Sequence, residues 1–234
     1  MKRLICFLFA LVLAMICWNI DSSFYIKSAN AVAFSKKPII IVDAGHGDFD
    51  GGAVKGDIIE KDINLEFAKS LEIMLKAFGY KVIMTRTTDT GTEDSGLSSI
   101  HSKKVSDIKN RLNLIENTDS LCFVSLHQNM FSQSKYKGTQ VFYSKNNANS
   151  SVYGECIQSA VKTLLQNENN RLIKPCTKDI YLMYHTTKPA VLIECGFMSN
   201  EQELENLLCE EYRNKLNFCI LIGILNGRNS VKNG

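Results

Sequence analysis

Proline is nearly missing from this chain, at 3 of 234 residues, and 14 glycines without a repeat leave no collagen-like or Pro/Gly-rich disordered segment. Charge of one sign is not in excess either. With 27 Lys+Arg against 24 Asp+Glu, the net charge of +3 is too small to mark a nucleic-acid surface. No C-x-x-C pair occurs, which argues against a zinc ribbon or a thioredoxin-type redox site. H-E-x-x-H is absent, so no metal site is built on a single helix, and no G-x-x-x-x-G-K-[ST] follows the glycines at 45, 47, 51 and 52. Internal repeats and low-complexity blocks are missing as well. What remains is a globular composition, 45% hydrophobic, in a chain long enough to bury a core without disulfide staples.

The apolar residues are unevenly spread. Residues 1–20 hold 17 of them, the exceptions being Lys2, Arg3 and Asn19. A basic start running into an apolar stretch reads as an export segment that engages the membrane or the export machinery. Ala31-Val32-Ala33 has the small-x-small form of a cleavage site, so residues 1–33 are expected to be a signal peptide, with an N-terminal membrane anchor as the alternative. Beyond them the body from residue 34 is nearly neutral, with 24 basic and 23 acidic residues. It keeps Cys122, Cys156, Cys176, Cys195, Cys209 and Cys219. Because Cys122, Cys195 and Cys219 fall inside apolar patterns, free thiols are expected rather than disulfides.

From residue 38 short apolar runs alternate with helical periodicity. Strands are expected at 38–42, 81–86, 121–127, 139–144, 180–184 and 190–194. Helices are expected at 61–78, 105–117 and 151–166, with two more closing the chain. One of these starts after Asn200 with a capping-box-like Glu203; the other covers 210–225 and is apolar almost all round from Phe218, with a frayed tail after it. Strands separated by helices imply crossovers. The expected fold is therefore α/β: one domain with a six-stranded, mostly parallel sheet covered by helices on both faces. The polar stretches 87–104 and 129–138 are expected as long loops.

In such a sheet, sites form outside the carboxyl ends of strands. Those ends hold Asp43-Ala44-Gly45-His46-Gly47-Asp48, Ser125-Leu126-His127-Gln128-Asn129 and Glu194-Cys195-Gly196-Phe197-Met198-Ser199-Asn200. Glu60 joins them at the start of the helix returning from the first. Two histidines and two glutamates on one rim have the content of a catalytic zinc site: three protein ligands, a fourth position open, and a second carboxylate to move protons. Asp43 or a backbone carbonyl is a candidate for orienting a ligating imidazole through its other nitrogen. His185, after the strand expected at 180–184, is a candidate substrate contact. Arg111 is expected to pair with a loop carboxylate, and His101 to be a solvated loop residue.

The chain from Pro38 to about Gly227 resembles the zinc-dependent N-acetylmuramoyl-L-alanine amidases of the Amidase_3 type. The resemblance rests on VDAGHGDFDGGAVKGDIIEKDINL (42–65), TRTTD (85–89), FVSLHQN (123–129) and PAVLIECGFMSN (189–200). Carried over residue by residue, it implies that His46, Glu60 and His127 bind Zn2+ and that Glu194 is the catalytic carboxylate. Asp48 and Gln128 depart from residues common in the family. The implied substrate is the muramyl peptide of peptidoglycan, cut at the amide between N-acetylmuramic acid and L-alanine. The form of the chain is similar to the germination-specific amidases of spore-forming bacteria, which act on the spore cortex on the way to muramic-δ-lactam. Alternatives are a vegetative cell-wall autolysin, another zinc peptidase or deacetylase, and a partner-dependent wall-binding protein. The resemblance also leaves room for an activating protein partner, and it places the protein outside the cytoplasmic membrane, secreted or anchored.

Overall fold

A computed structural model describes residues 37–233. The expected export segment at 1–33 lies outside them. Among the described residues no helix is long and apolar enough to cross a membrane.

The first strand, β1 (Ile39–Ala44), is an unbroken apolar run apart from Asp43, and it is buried on both faces. Ile40, Val42 and Ala44 enter the larger of two cores and Ile41 the smaller, as the two-residue period of a strand requires. A tight hairpin of β2 (Val54–Lys55) and β3 (Ile58–Ile59) follows and leads directly into α1 (Glu60–Ala77). Then come β4 (Lys81–Met84), α2 (Ile100–Glu116), β5 (Cys122–Asn129), β6 (Gln140–Tyr143), α3 (Ala148–Leu164), β7 (Lys174–Pro175), α4 (Tyr181–His185), β8 (Ala190–Phe197), α5 (Glu201–Leu208) and α6 (Glu210–Asn233).

The six strands β4-β1-β5-β8-β6-β7 form one sheet in that order. Its first four are parallel; β6 runs antiparallel to β8, and β7 pairs parallel with β6. The α/β architecture is therefore as expected, with one strand displaced. Residues 180–184 are not a strand: 181–185 form the short helix α4, and the sixth strand is β7. A short apolar run does not separate strand from helix by period. Here Tyr184 N donates to Ile180 O and Thr186 N to Leu182 O, both at 3.0 Å, the four-residue spacing of a helical turn. At β7, Pro175 is tolerated because the strand lies at the sheet edge.

Helices α1, α3 and α6 cover the face of the larger core, and α2 and α4 the smaller. Helix α2 begins five residues before the expected start because Ser99 caps it, its side chain accepting from Ser102 N. His101 is thus an exposed residue of the first helical turn, not of a loop. Helix α6 continues to Asn233 with no fraying at 227, and Phe218 on it is exposed, so the apolar stretch is not buried all round. All six described cysteines are free thiols.

Candidate active site

Three strand ends meet at one edge of the sheet. In the parallel pair β5–β8, His127 sits in register with Glu194, and β1 ends beside β5 with Ala44 against Leu126. The chain leaving β1 then turns sharply. His46 and Asp48 both adopt left-handed backbone, with φ of 64° and 46°, a conformation that costs a residue with a side chain about 1–2 kcal/mol. Glycines on either side let backbone pass where side chains must meet. A Cβ on Gly45 would run into the His127 ring, and one on Gly52 would lie 2.5 Å from Glu60 Oε2 and 2.6 Å from His46 Cδ2.

Glu60 opens α1, where an acidic residue would ordinarily only complement the helix dipole. Instead its carboxylate is buried, 3.3 Å from His46 Nε2 and 3.1 Å from His127 Nδ1. Backbone N–H groups of Ala53 and Gln128 donate to it at 2.9 and 3.0 Å, and Asn64, one helical turn on, donates at 3.2 Å. The two imidazoles meet edge to face with centroids 4.8 Å apart. One ligand atom from each of His46, Glu60 and His127 lies within 4.8 Å of the others, so the cluster can hold a metal ion. Two neutral imidazoles and a carboxylate are a donor set that suits zinc.

The electrostatics point the same way. Burial alone would lower His46, but hydrogen bonds to Asp50 and Glu60 carry it up to about 9. Burial alone would raise Glu60, but hydrogen bonds to His127 and His46 hold it well below the usual carboxylate range. The pocket thus favours positive charge between the rings, whether a proton or a metal cation carries it. Asp50, itself held below the carboxylate range by His46 and by Lys104, accepts from His46 Nδ1 at 3.0 Å and leaves Nε2 facing Glu60.

Asp50 therefore takes the orienting role for which Asp43 was a candidate. Asp43 is buried beneath the site and accepts from Arg111 at 2.6 Å, Ser125 at 2.6 Å and Thr85 at 2.7 Å. Arg111 differs from expectation too. It pairs with this strand-end aspartate and with Asp107 on its own helix, and donates to the carbonyls of Ala44 and His46. Arg86 donates to Ala44 O and Gly45 O, so two buried arginines grip the backbone that carries His46. Lys61 and Asp89 clamp the same loop from outside through Asp48.

Glu194 stands next to His127 with Oε2 shut off from solvent and without a hydrogen-bond partner. Burial, aided by the nearby Glu60 charge, pushes it up to about 7, where a carboxyl group can both take and return a proton near neutral pH. Gln128 turns its amide to Asn64 Oδ1, which tightens the support under Glu60. His185 is not at this rim. It ends α4 shortly before the amino end of β8 and packs on Tyr181 and Tyr184.

Sequence reasoning missed Asp50, Asn64 and Arg86. Asn64 was accessible, since it lies four residues after Glu60 and so on the same helix face; Asp50 is brought to His46 only by the left-handed turn.

Comparison with known proteins gives the same family by an independent route. The family model described as N-acetylmuramoyl-L-alanine amidase (Amidase_3) matches residues 40–226. The germination-specific N-acetylmuramoyl-L-alanine amidase of Bacillus subtilis (strain 168) is 36% identical over 187 residues, 80% of this chain and 78% of that protein. Among solved structures, the CwlD amidase of Clostridioides difficile, determined in complex with the GerS lipoprotein, superposes with a TM-score of 0.79 at 40% identity, covering 83% of this chain and all of that one. An N-acetylmuramoyl-L-alanine amidase of Clostridium difficile 630 superposes with a TM-score of 0.69 at 26% identity, over 82% of this chain and 96% of that one. With the family model spanning both histidines and both glutamates of the rim, the chain belongs to the N-acetylmuramoyl-L-alanine amidases of the Amidase_3 family.

Proposed function

We propose that His46, Glu60 and His127 hold a zinc ion and that Glu194 is the catalytic acid and base for hydrolysis of the amide between N-acetylmuramic acid and L-alanine. One observation carries this reading: His46 Nε2, His127 Nδ1 and the Glu60 carboxylate converge, while a buried, unpartnered carboxyl oxygen of Glu194 stands one strand away. When bound, zinc supplies a Lewis acid for the lactyl carbonyl and lowers the pKa of water from 15.7 towards about 7. The chain's residues do the rest. Asp50 and Glu60 fix the imidazole orientations, and Arg111 and Arg86 keep the His46 backbone in its left-handed turn. Glu194 accepts a proton from the attacking water and delivers it to the amide nitrogen, which is a poor leaving group until protonated.

Glu194→Gln is expected to keep zinc and lose muropeptide cleavage, whereas His46→Ala loses both. Retained cleavage in the Glu194 variant would remove the assignment.

The biological setting rests on the relatives. The Bacillus subtilis relative is named germination-specific, which supports action on spore-cortex peptidoglycan as a step toward muramic-δ-lactam. Export by residues 1–33 to the outer side of the cytoplasmic membrane fits such a substrate. The complex of the Clostridioides difficile relative with a lipoprotein supports an activating protein partner here. Spores lacking the gene should lack δ-lactam in their cortex muropeptides; a normal δ-lactam content would contradict the cortex role.

A further inference from the structure

Beyond Glu194, the same sheet edge carries a feature that hydrolysis does not use. A cavity of about 800 Å³ opens between residues 135–138, residues 165–171 and α5. Its cationic lining is Lys135, Lys137 and Arg171, and its acidic lining is Glu168 and Glu203. The acids do not oppose the cations equally. Glu168, its side chain almost wholly in solvent, pairs with Lys137 Nζ at 3.7 Å, and Glu203 is turned inward, accepting from Gly138 N at 2.7 Å and Phe197 N at 2.9 Å.

Among the described residues Arg171 makes no direct ion pair, although the inward-turned Glu203 carboxylate lies close enough to feel its charge. Arg171 Nε donates to Lys137 O at 2.8 Å, Nη1 reaches Gln140 Oε1 at 3.4 Å, and its guanidinium lies 4.6 Å over the ring of Phe197, which is fully buried. A planar fork fixed through its stem and one edge has donors left for a carboxylate and little freedom to lose on binding one.

Register ties this arginine to the hydrolytic rim. Gln140 is the strand partner of Glu194, and Phe197 that of Asn129, two residues past His127. Three residues along a strand place Phe197 roughly 10 Å from Glu194. An extended peptide leaving the scissile amide covers that distance in about three residues. Charge decides which side of the substrate faces the cavity. On the sugar side the lactyl carboxyl is tied up in the amide and carries no charge, so free carboxylates lie on the peptide side.

We propose that Arg171, backed by Lys135 and Lys137, forms a subsite for a free carboxylate of the stem peptide two to three residues beyond the scissile amide. This rests on the amidase site proposed above for its geometry. A charge-assisted hydrogen bond from a held guanidinium is worth roughly tenfold or more in affinity.

The test is calorimetric titration of the protein with free stem tripeptides, one with its carboxylates free and one with them amidated. The parent protein is expected to bind the acid form about tenfold tighter, with the difference shrinking at high salt. Arg171→Gln loses the difference, and Arg171→Lys, which keeps the charge, retains part of it. A parent protein that does not discriminate, or an Arg171→Gln protein that discriminates as the parent does, overturns the subsite. Cleavage assays run in parallel keep the two readings apart. Cleavage of muramoyl peptides without carboxylate selectivity overturns the subsite alone; selective binding without cleavage overturns the roles given to His46, Glu60, His127 and Glu194.

Discussion

Arg111 sits fully enclosed under the site, where its guanidinium answers the buried Asp43. Burial would raise the Asp43 carboxyl, but Arg111 and the hydroxyls of Ser125 and Thr85 bring it down from 3.8 to about 2. The folded value is depressed, so the stability it contributes is complete above about pH 4 and is lost as pH falls towards 2. Arg111→Met leaves a buried charge uncompensated and should cost about 3–5 kcal/mol in denaturant unfolding at neutral pH. His46 carries the opposite sign. In chelator-treated protein its raised value contributes stability that is complete below 6.5 and fades as pH rises through about 9, which pH-dependent unfolding would detect. At this scale the sequence was informative where a side chain's place follows from a buried strand: His46 follows β1, and His127 and Glu194 lie in the carboxyl-terminal halves of β5 and β8. Arg111 and Asp50 were not legible that way, because their partners are set by how α2 lies on β1 and by the turn at His46 and Asp48.

Helices α3 and α6 approach closely because α6 presents glycine where they touch. A Cβ on Gly223 would strike the backbone and side chain of Ile157, and one on Gly227 would come 2.5 Å from the ring of Tyr153. Gly223→Ala should therefore lower stability by about 1–3 kcal/mol through overpacking, although alanine is the better helix former, and a thermal melt reads the sign. At the site, Gly45→Ala should weaken zinc binding without unfolding the sheet, since the nearest clash is with the His127 ring; a competition titration measures it. Elements with long, regular periodicity, such as α1, α3 and β1, were readable from sequence. The exchange of a strand for α4, and of 180–184 for β7, was not: five apolar residues fit either period, and burial of both Leu182 and Met183 is compatible with a strand covered on both faces as well as with a helix.

Across the whole molecule, four parallel strands bring their carboxyl ends to one edge, and the residues of every motif quoted from the sequence lie along or just behind it. The edge extends from the His46 turn past Glu194 to Arg171, long enough to take a substrate with a neutral and a charged side. The acid limb of kcat/KM should reflect Glu194. Burial and Glu60 push it up to about 7 and a cation in the His–Glu–His cluster would pull it down, so the midpoint is expected between 4.5 and about 7. The bond cut at this edge lies between the lactyl group and L-alanine. Mass spectrometry of purified muramoyl peptide digested by the zinc-loaded protein identifies it. The expected products are a sugar with a free lactyl carboxylate and a peptide beginning with a free L-alanine amine. Cleavage within the peptide or at an acetyl group, with the lactyl–alanine bond intact, would contradict that assignment.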